Sequence, residues 1–130
     1  MIRGIGIDSV ELSRCILWNT YSAIQLERIF SPQEIAYCFD HTPSTTQRFA
    51  ARFAAKEASY KAVCAAFPDL RIPFLTFCKA SELIHTPSAP ILSINWSYLQ
   101  QYSSAIKPLI CHVSLTHTRT QATALVIMEL

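Results

Sequence analysis

The chain opens on an alternating pattern, Ile2-Arg3-Gly4-Ile5-Gly6-Ile7-Asp8. Successive side chains of a strand point to opposite faces, so Gly4, Gly6 and Asp8 share one row and Ile5 and Ile7 the other. Gly4 and Gly6 are the only glycines in the sequence. A row without side chains lets something approach closely. That could be a tightly packed helix or a ligand held near Asp8.

The pattern then turns helical. Residues 12–30 place Leu12, Ile16, Ile24, Leu26 and Phe30 at helical apolar positions. Ser31-Pro32-Gln33-Glu34 opens another helix, with Ser31 as N-cap, Pro32 in the first turn and Glu34 as the reciprocal cap. Glu34 therefore reads as a capping residue rather than a catalyst. Residues 41–46, with Pro43, read as a loop. A long helix is expected from Thr45 to Phe67, stopping before Pro68. At the helical period Phe53, Tyr60, Cys64 and Phe67 form one stripe, and Ala51, Ala54, Ala55, Ala58, Ala62 and Ala65 cover the other side. A helix apolar nearly all round is buried.

Phe74–Cys78 and Ile91–Ile94 read as short strands, and Asn95 as the cap of a helix through Ala105. Ile110–Thr116 and Ala122–Met128, rich in β-branched residues, read as a hairpin whose connection begins at His117. The expected class is α+β, an antiparallel sheet against a long buried helix.

Composition narrows the setting. The 130 residues suit one domain spanning 1–130. The chain is 51% hydrophobic and 15% charged, an apolar excess that a subunit interface would absorb. A net charge of +2 is too small to indicate a nucleic-acid partner. The five cysteines, at 15, 38, 64, 78 and 111, lack metal-site or redox spacing and point to a reducing, cytoplasmic setting. No apolar run suits a membrane, and Asp8 and Glu11 come too early for a signal peptide.

Three groups of residues carry candidate chemistry. Asp8 and Glu57 are isolated acids on separate elements, and Glu57 is the sole acid between residues 48 and 61. Should the helix cross the glycine row, they could share a magnesium ion with a substrate phosphate. Alternatively Glu57 pairs with Lys61 at the favourable four-residue spacing. Arg48, Arg52 and Lys56 form a ridge, either a solvated edge or an anion-binding one. Lys56 projects into an apolar sector, so it either snorkels outward or meets an anion. Ser114-Leu115-Thr116-His117 lacks the elbow of a hydrolase nucleophile, which leaves His117 as a phosphate donor or a structural strand-end residue.

Gly6-Ile7-Asp8-Ser9-Val10-Glu11, Phe30-Ser31-x-x-Glu34, Arg52-Phe-Ala-Ala-Lys-Glu-Ala58 with Lys61, and Ser114-x-Thr-His117 before Ala122-x-Ala-x-Val126 occur in one order. Together they resemble the small holo-acyl-carrier-protein synthase type of 4′-phosphopantetheinyl transferase. The resemblance implies transfer of the phosphopantetheine arm of coenzyme A to a serine of apo acyl carrier protein. It also implies Asp8 and Glu57 as magnesium ligands and catalytic groups. Lys61 would be catalytic and contact coenzyme A, with Arg52, His117 and Lys56 as further contacts. Arg14 and Arg48 would face the carrier, and the protein would be a homotrimer with sites between subunits. The segment Cys64-Ala-Ala-Phe-Pro68 and the Ser88-Ala-Pro90 turn lack glycines usual in that family, which predicts a reshaped nucleotide pocket.

Overall fold

A computed structural model describes residues 1–40 and 42–130. Strand β1 (Ile2–Glu11) leads into a 3-10 segment, Leu12–Thr20, and a short helix α1 (Ala23–Leu26). Helix α2 (Pro32–Phe39), a 3-10 turn (Thr42–Ser44) and helix α3 (Thr45–Ala66) follow. The remainder is α4 (Phe74–Cys78), β2 (Ser81–Ile84), β3 (Ile91–Ile94), α5 (Trp96–Gln100), β4 (Ile110–His117) and β5 (Gln121–Glu129). The main sheet is antiparallel in the order β1-β5-β4, and β2 and β3 form a separate antiparallel pair.

Helix α3 lies across the inner face of the main sheet, and the glycine row explains how. A Cβ on Gly6 would fall well inside contact distance of the Ala58 carbonyl oxygen. One on Gly4 would do the same at Ala62. The alanine side of α3 thus presses its backbone onto a strip of strand without side chains. Val10, Ala122, Ala124, Val126 and Met128 complete that face, all fully buried. On its other side α3 carries aromatic contacts among Trp18, Phe30, Phe49 and Phe53, continued by Phe74, Tyr60 and Phe77.

The sheet's outer face has no cover within the chain. Ile5 and Ile7 are each more than half exposed, and their cross-strand partners Ile127 and Leu125 share that face. It also holds a Ser9–Thr123 hydrogen bond of 2.7 Å and a His112–Glu129 pair at 2.9 Å.

Several sequence expectations change. Residues 12–30 are not one helix: the chain turns at Tyr21, and Ser22 starts α1 through a capping box with Gln25. Phe74–Cys78 is helical, not a strand, with Pro73 in the N-cap position. The helix capped by Asn95 ends at Gln100 rather than Ala105. Strand β2 is an addition. The expected loop includes His41, outside the described residues, and α3 already begins at Thr45.

Candidate active site

Asp8 lies on the inner face of β1, two residues beyond Gly6. There the edge of α3 presents Glu57 and, one turn later, Lys61. Lys61 Nζ donates to Asp8 Oδ1 at 2.8 Å and to the Ile7 carbonyl at 3.0 Å. The Glu57 and Asp8 carboxyl groups are close enough for one to shift the ionisation of the other. The two acids therefore meet as the crossing geometry required, and Lys61 is paired with Asp8 rather than Glu57. A lysine ammonium has three donors, so one remains uncommitted. The side chain is half exposed, 53%.

Glu57 feels this crowding. Burial first, then the neighbouring Asp8 carboxyl, push its pKa up to about 7, against the pull of Arg14 and Lys61. Two adjacent carboxyl groups resist joint ionisation, and a cation between them reverses that. Among the described residues, no three His, Cys, Asp or Glu side chains gather as a metal cage. Two carboxylates with open positions suit magnesium, which keeps waters and takes its other ligands from phosphate oxygens.

The raised pKa gives a test. In the unfolded chain Glu57 ionises near its ordinary value of 4.5. The folded protein then holds a proton that the unfolded state has lost. Its stabilising contribution is complete below that value and fades as pH rises through about 7. Metal-free Glu57→Gln should match the native protein in Tm near pH 4.5 and exceed it at pH 8. Parallel Tm profiles would contradict this.

The other candidates sit elsewhere. His117 ends β4 opposite Ala122, which pairs with Val10, so it shares the inner face with Asp8. Strand spacing puts the two Cα atoms about 12 Å apart. Arg14 is exposed, 5.8 Å from the centre of the Phe53 ring, and close enough for its charge to act on Glu57. Arg48 and Arg52 converge on Tyr37 of α2, their guanidinium carbons 4.1 and 3.9 Å from its ring centre. His85 stacks on that ring at 4.6 Å. Arg48 also donates from one guanidinium nitrogen to the Tyr37 carbonyl. Arg52 is buried, and its Nε has no hydrogen-bond partner among the described residues.

Lys56 needs correcting. It is neither a solvated edge nor an open anion site. Its ammonium is 1% exposed and lies 3.0 Å from Glu34 Oε1, and it donates to the Cys78 and Ser81 carbonyls. Glu34 is the reciprocal cap expected of it, accepting from Ser31 N, and it also accepts from Leu83 N. The anion that Lys56 meets is thus internal.

Sequence reading missed that apolar residues of the 12–26 region are exposed. Ile16 and Leu17 are exposed, as is Ile24, at 80%. The Ser22–Gln25 capping box, which turns the chain there, was the available signal. A cavity of about 720 Å³, lined in part by Phe30, Ser31, Cys78 and Ser81, lies on the α2–β2 side of α3 and includes neither Asp8 nor Glu57.

Comparison with known proteins gives one answer. Residues 4–123 match the 4′-phosphopantetheinyl transferase superfamily. A holo-[acyl-carrier-protein] synthase of Treponema denticola is 33% identical over 129 residues, covering 99% of both chains. The crystal structure of the Bacillus anthracis holo-(acyl-carrier-protein) synthase in complex with CoA (3′,5′-ADP) is 30% identical. It superposes with a TM-score of 0.71 and covers 99% of this chain and 97% of that one. A Chronobacterium ammoniagenes ACPS-CoA complex gives 0.80 at 25% identity, covering 96% and 95%. With Asp8, Glu57 and Lys61 gathered on a fold shared along nearly its whole length, the chain belongs to the 4′-phosphopantetheinyl transferase superfamily.

Proposed function

We propose that this protein is a holo-acyl-carrier-protein synthase, moving the 4′-phosphopantetheine arm of coenzyme A to a serine of apo acyl carrier protein. The observation that carries the reading is the meeting of Asp8, Glu57 and Lys61 at one edge of α3. The serine Oγ attacks the pyrophosphate phosphorus nearest the pantetheine. The bond to the departing adenosine 3′,5′-bisphosphate breaks, and that product keeps the electron pair. Glu57 accepts the serine proton. Magnesium, held by Asp8 and Glu57, would supply charge neutralisation at the pyrophosphate.

Lys61 offers its uncommitted donor to a phosphate. His117, exposed on the same sheet face, serves as a second contact, and the partnerless Nε of Arg52 supports that residue as a third. Lys56 has no free donor for this role. Arg14, on the same 3-10 segment as the exposed Ile16 and Leu17, suits an acidic carrier with an apolar patch. Five free cysteines suit a cytoplasmic setting. Among the described residues no helix is long and apolar enough to cross a membrane.

The uncovered face of the main sheet supports assembly into a homotrimer with sites between subunits, because contiguous exposed apolar surface of this kind marks an interface. Ile5→Glu should then yield monomers in sedimentation analysis, with transfer lost alongside. An unchanged sedimentation coefficient would count against this assembly.

The direct test of function is mass spectrometry of an apo carrier protein incubated with the protein, coenzyme A and magnesium. A mass gain of one phosphopantetheine is expected. A carrier bound but left unmodified would instead favour a binding homologue without turnover.

A further inference from the structure

We infer that the buried Glu34–Lys56 pair is a positioning device for Glu57, setting the rotation of α3 that aims this carboxylate at Asp8. The inference rests on the proposed role of the Asp8–Glu57 pair.

Lys56 immediately precedes Glu57, and neighbouring helical residues point about 100° apart. Fixing one therefore fixes the bearing of the other. Lys56 is held on three sides, by Glu34 of α2, by the carbonyl of Cys78 at the end of α4 and by that of Ser81 in β2. All three ammonium donors are thereby engaged. Glu34 is equally committed, receiving Ser31 N on Oε1 and Leu83 N on Oε2. Each polar atom of the pair has a partner, and the network is closed to solvent, with both residues 1% exposed.

The β1 side of α3 has no buried counterpart to this network. There Ala58 and Ala62 lie against Gly6 and Gly4 in a close apolar contact, and the hydrogen bonds to β1 come from Lys61, a half-exposed side chain that reaches Asp8 and the Ile7 carbonyl. Buried ion pairs are poor devices for raw stability, since apolar replacements of similar volume are often neutral or better. What a fully bonded pair adds is a defined geometry, and here it sits one residue from the group whose aim matters. The tie also joins α2, α4 and β2 to the turn of α3 that carries Glu57.

The test is the double variant Glu34→Gln/Lys56→Met, which removes both charges of the pair together. Two quantities are read at a temperature where circular dichroism shows the variant folded. One is the magnesium concentration giving half-maximal carrier modification. The other is the rise in Tm that magnesium plus coenzyme A produces at pH 8. Residues that orient metal ligands typically contribute about 10- to 100-fold to affinity or activity. The magnesium midpoint should therefore rise at least about tenfold, and the Tm rise should shrink in parallel. A purely structural pair would lower Tm yet leave the magnesium midpoint of the folded variant within about twofold of the native protein, well below that range; that result overturns the inference. If the double variant does not fold, Lys56→Arg, which keeps the buried charge but not the three-way geometry, carries the same test with the same two outcomes. A native protein with no magnesium response overturns the reading of the site, and this inference with it.

Discussion

Glu57→Gln should reduce carrier modification by at least about a hundredfold while the protein stays folded. The substitution keeps the size of the side chain and removes its charge. It thereby takes away a proposed metal ligand and the proposed acceptor of the serine proton together. Losing a residue that merely orients a metal ligand already costs about 10- to 100-fold, so losing the ligand should reach or exceed the top of that range. A hundredfold corresponds to about 2.7 kcal/mol of transition-state stabilisation. The same change removes a carboxyl whose proton is lost, at the expense of stability, as pH rises through about 7. The variant should thus be slower in transfer yet higher in Tm at pH 8. This opposed pair of effects separates a catalytic role from a structural one, because a structural residue would lower both. Retention of most activity would remove Glu57 from the chemistry.

Gly6→Ala should have the largest effect on stability. The added methyl group would meet the Ala58 carbonyl oxygen, with the Ala62 amide nitrogen also inside normal contact. These are backbone atoms of a helix and cannot rotate aside. Overpacking of a core usually costs about 1–3 kcal/mol, and a backbone collision belongs at the upper end. In a chain of this size that lowers Tm by roughly 10 °C. Transfer should fall as well, since the spacing between β1 and α3 sets how Asp8 meets Glu57 and Lys61. Thermal denaturation and the carrier assay check both halves. A variant with native Tm would mean that the helix and strand are less closely apposed than described.

The parts legible in the sequence were those with strong periodicity or cap chemistry. The alternation of β1, the alanine pattern of α3 and the Ser31–Glu34 box all gave their elements directly. Asp8 and Glu57 were readable as a pair because each is an isolated acid, and the glycine row showed where a helix could cross. That row offered two readings, helix or ligand, and the helix occupies it. Because it does, the acids meet at its edge. The short pieces were harder. Phe-Leu-Thr-Phe-Cys has strand-like residues, but Pro73 and the packing of Phe77 make one and a half turns of helix instead. The fate of Lys56 was half legible: its apolar sector left snorkelling or an anion, and the anion is a residue 22 positions earlier whose capping role accounts for it locally. Arg48 and Arg52 are drawn to Tyr37 by a contact between α2 and α3 that no local spacing reveals.

The central claim is that Asp8 and Glu57 jointly grip a divalent cation bound with the pyrophosphate of coenzyme A. Calorimetric titration of coenzyme A, with and without magnesium, into the native protein and Asp8→Asn tests it most directly. The account predicts that magnesium tightens binding to the native protein and that Asp8→Asn loses this increment while keeping its magnesium-free affinity. An increment of equal size in both proteins would contradict it.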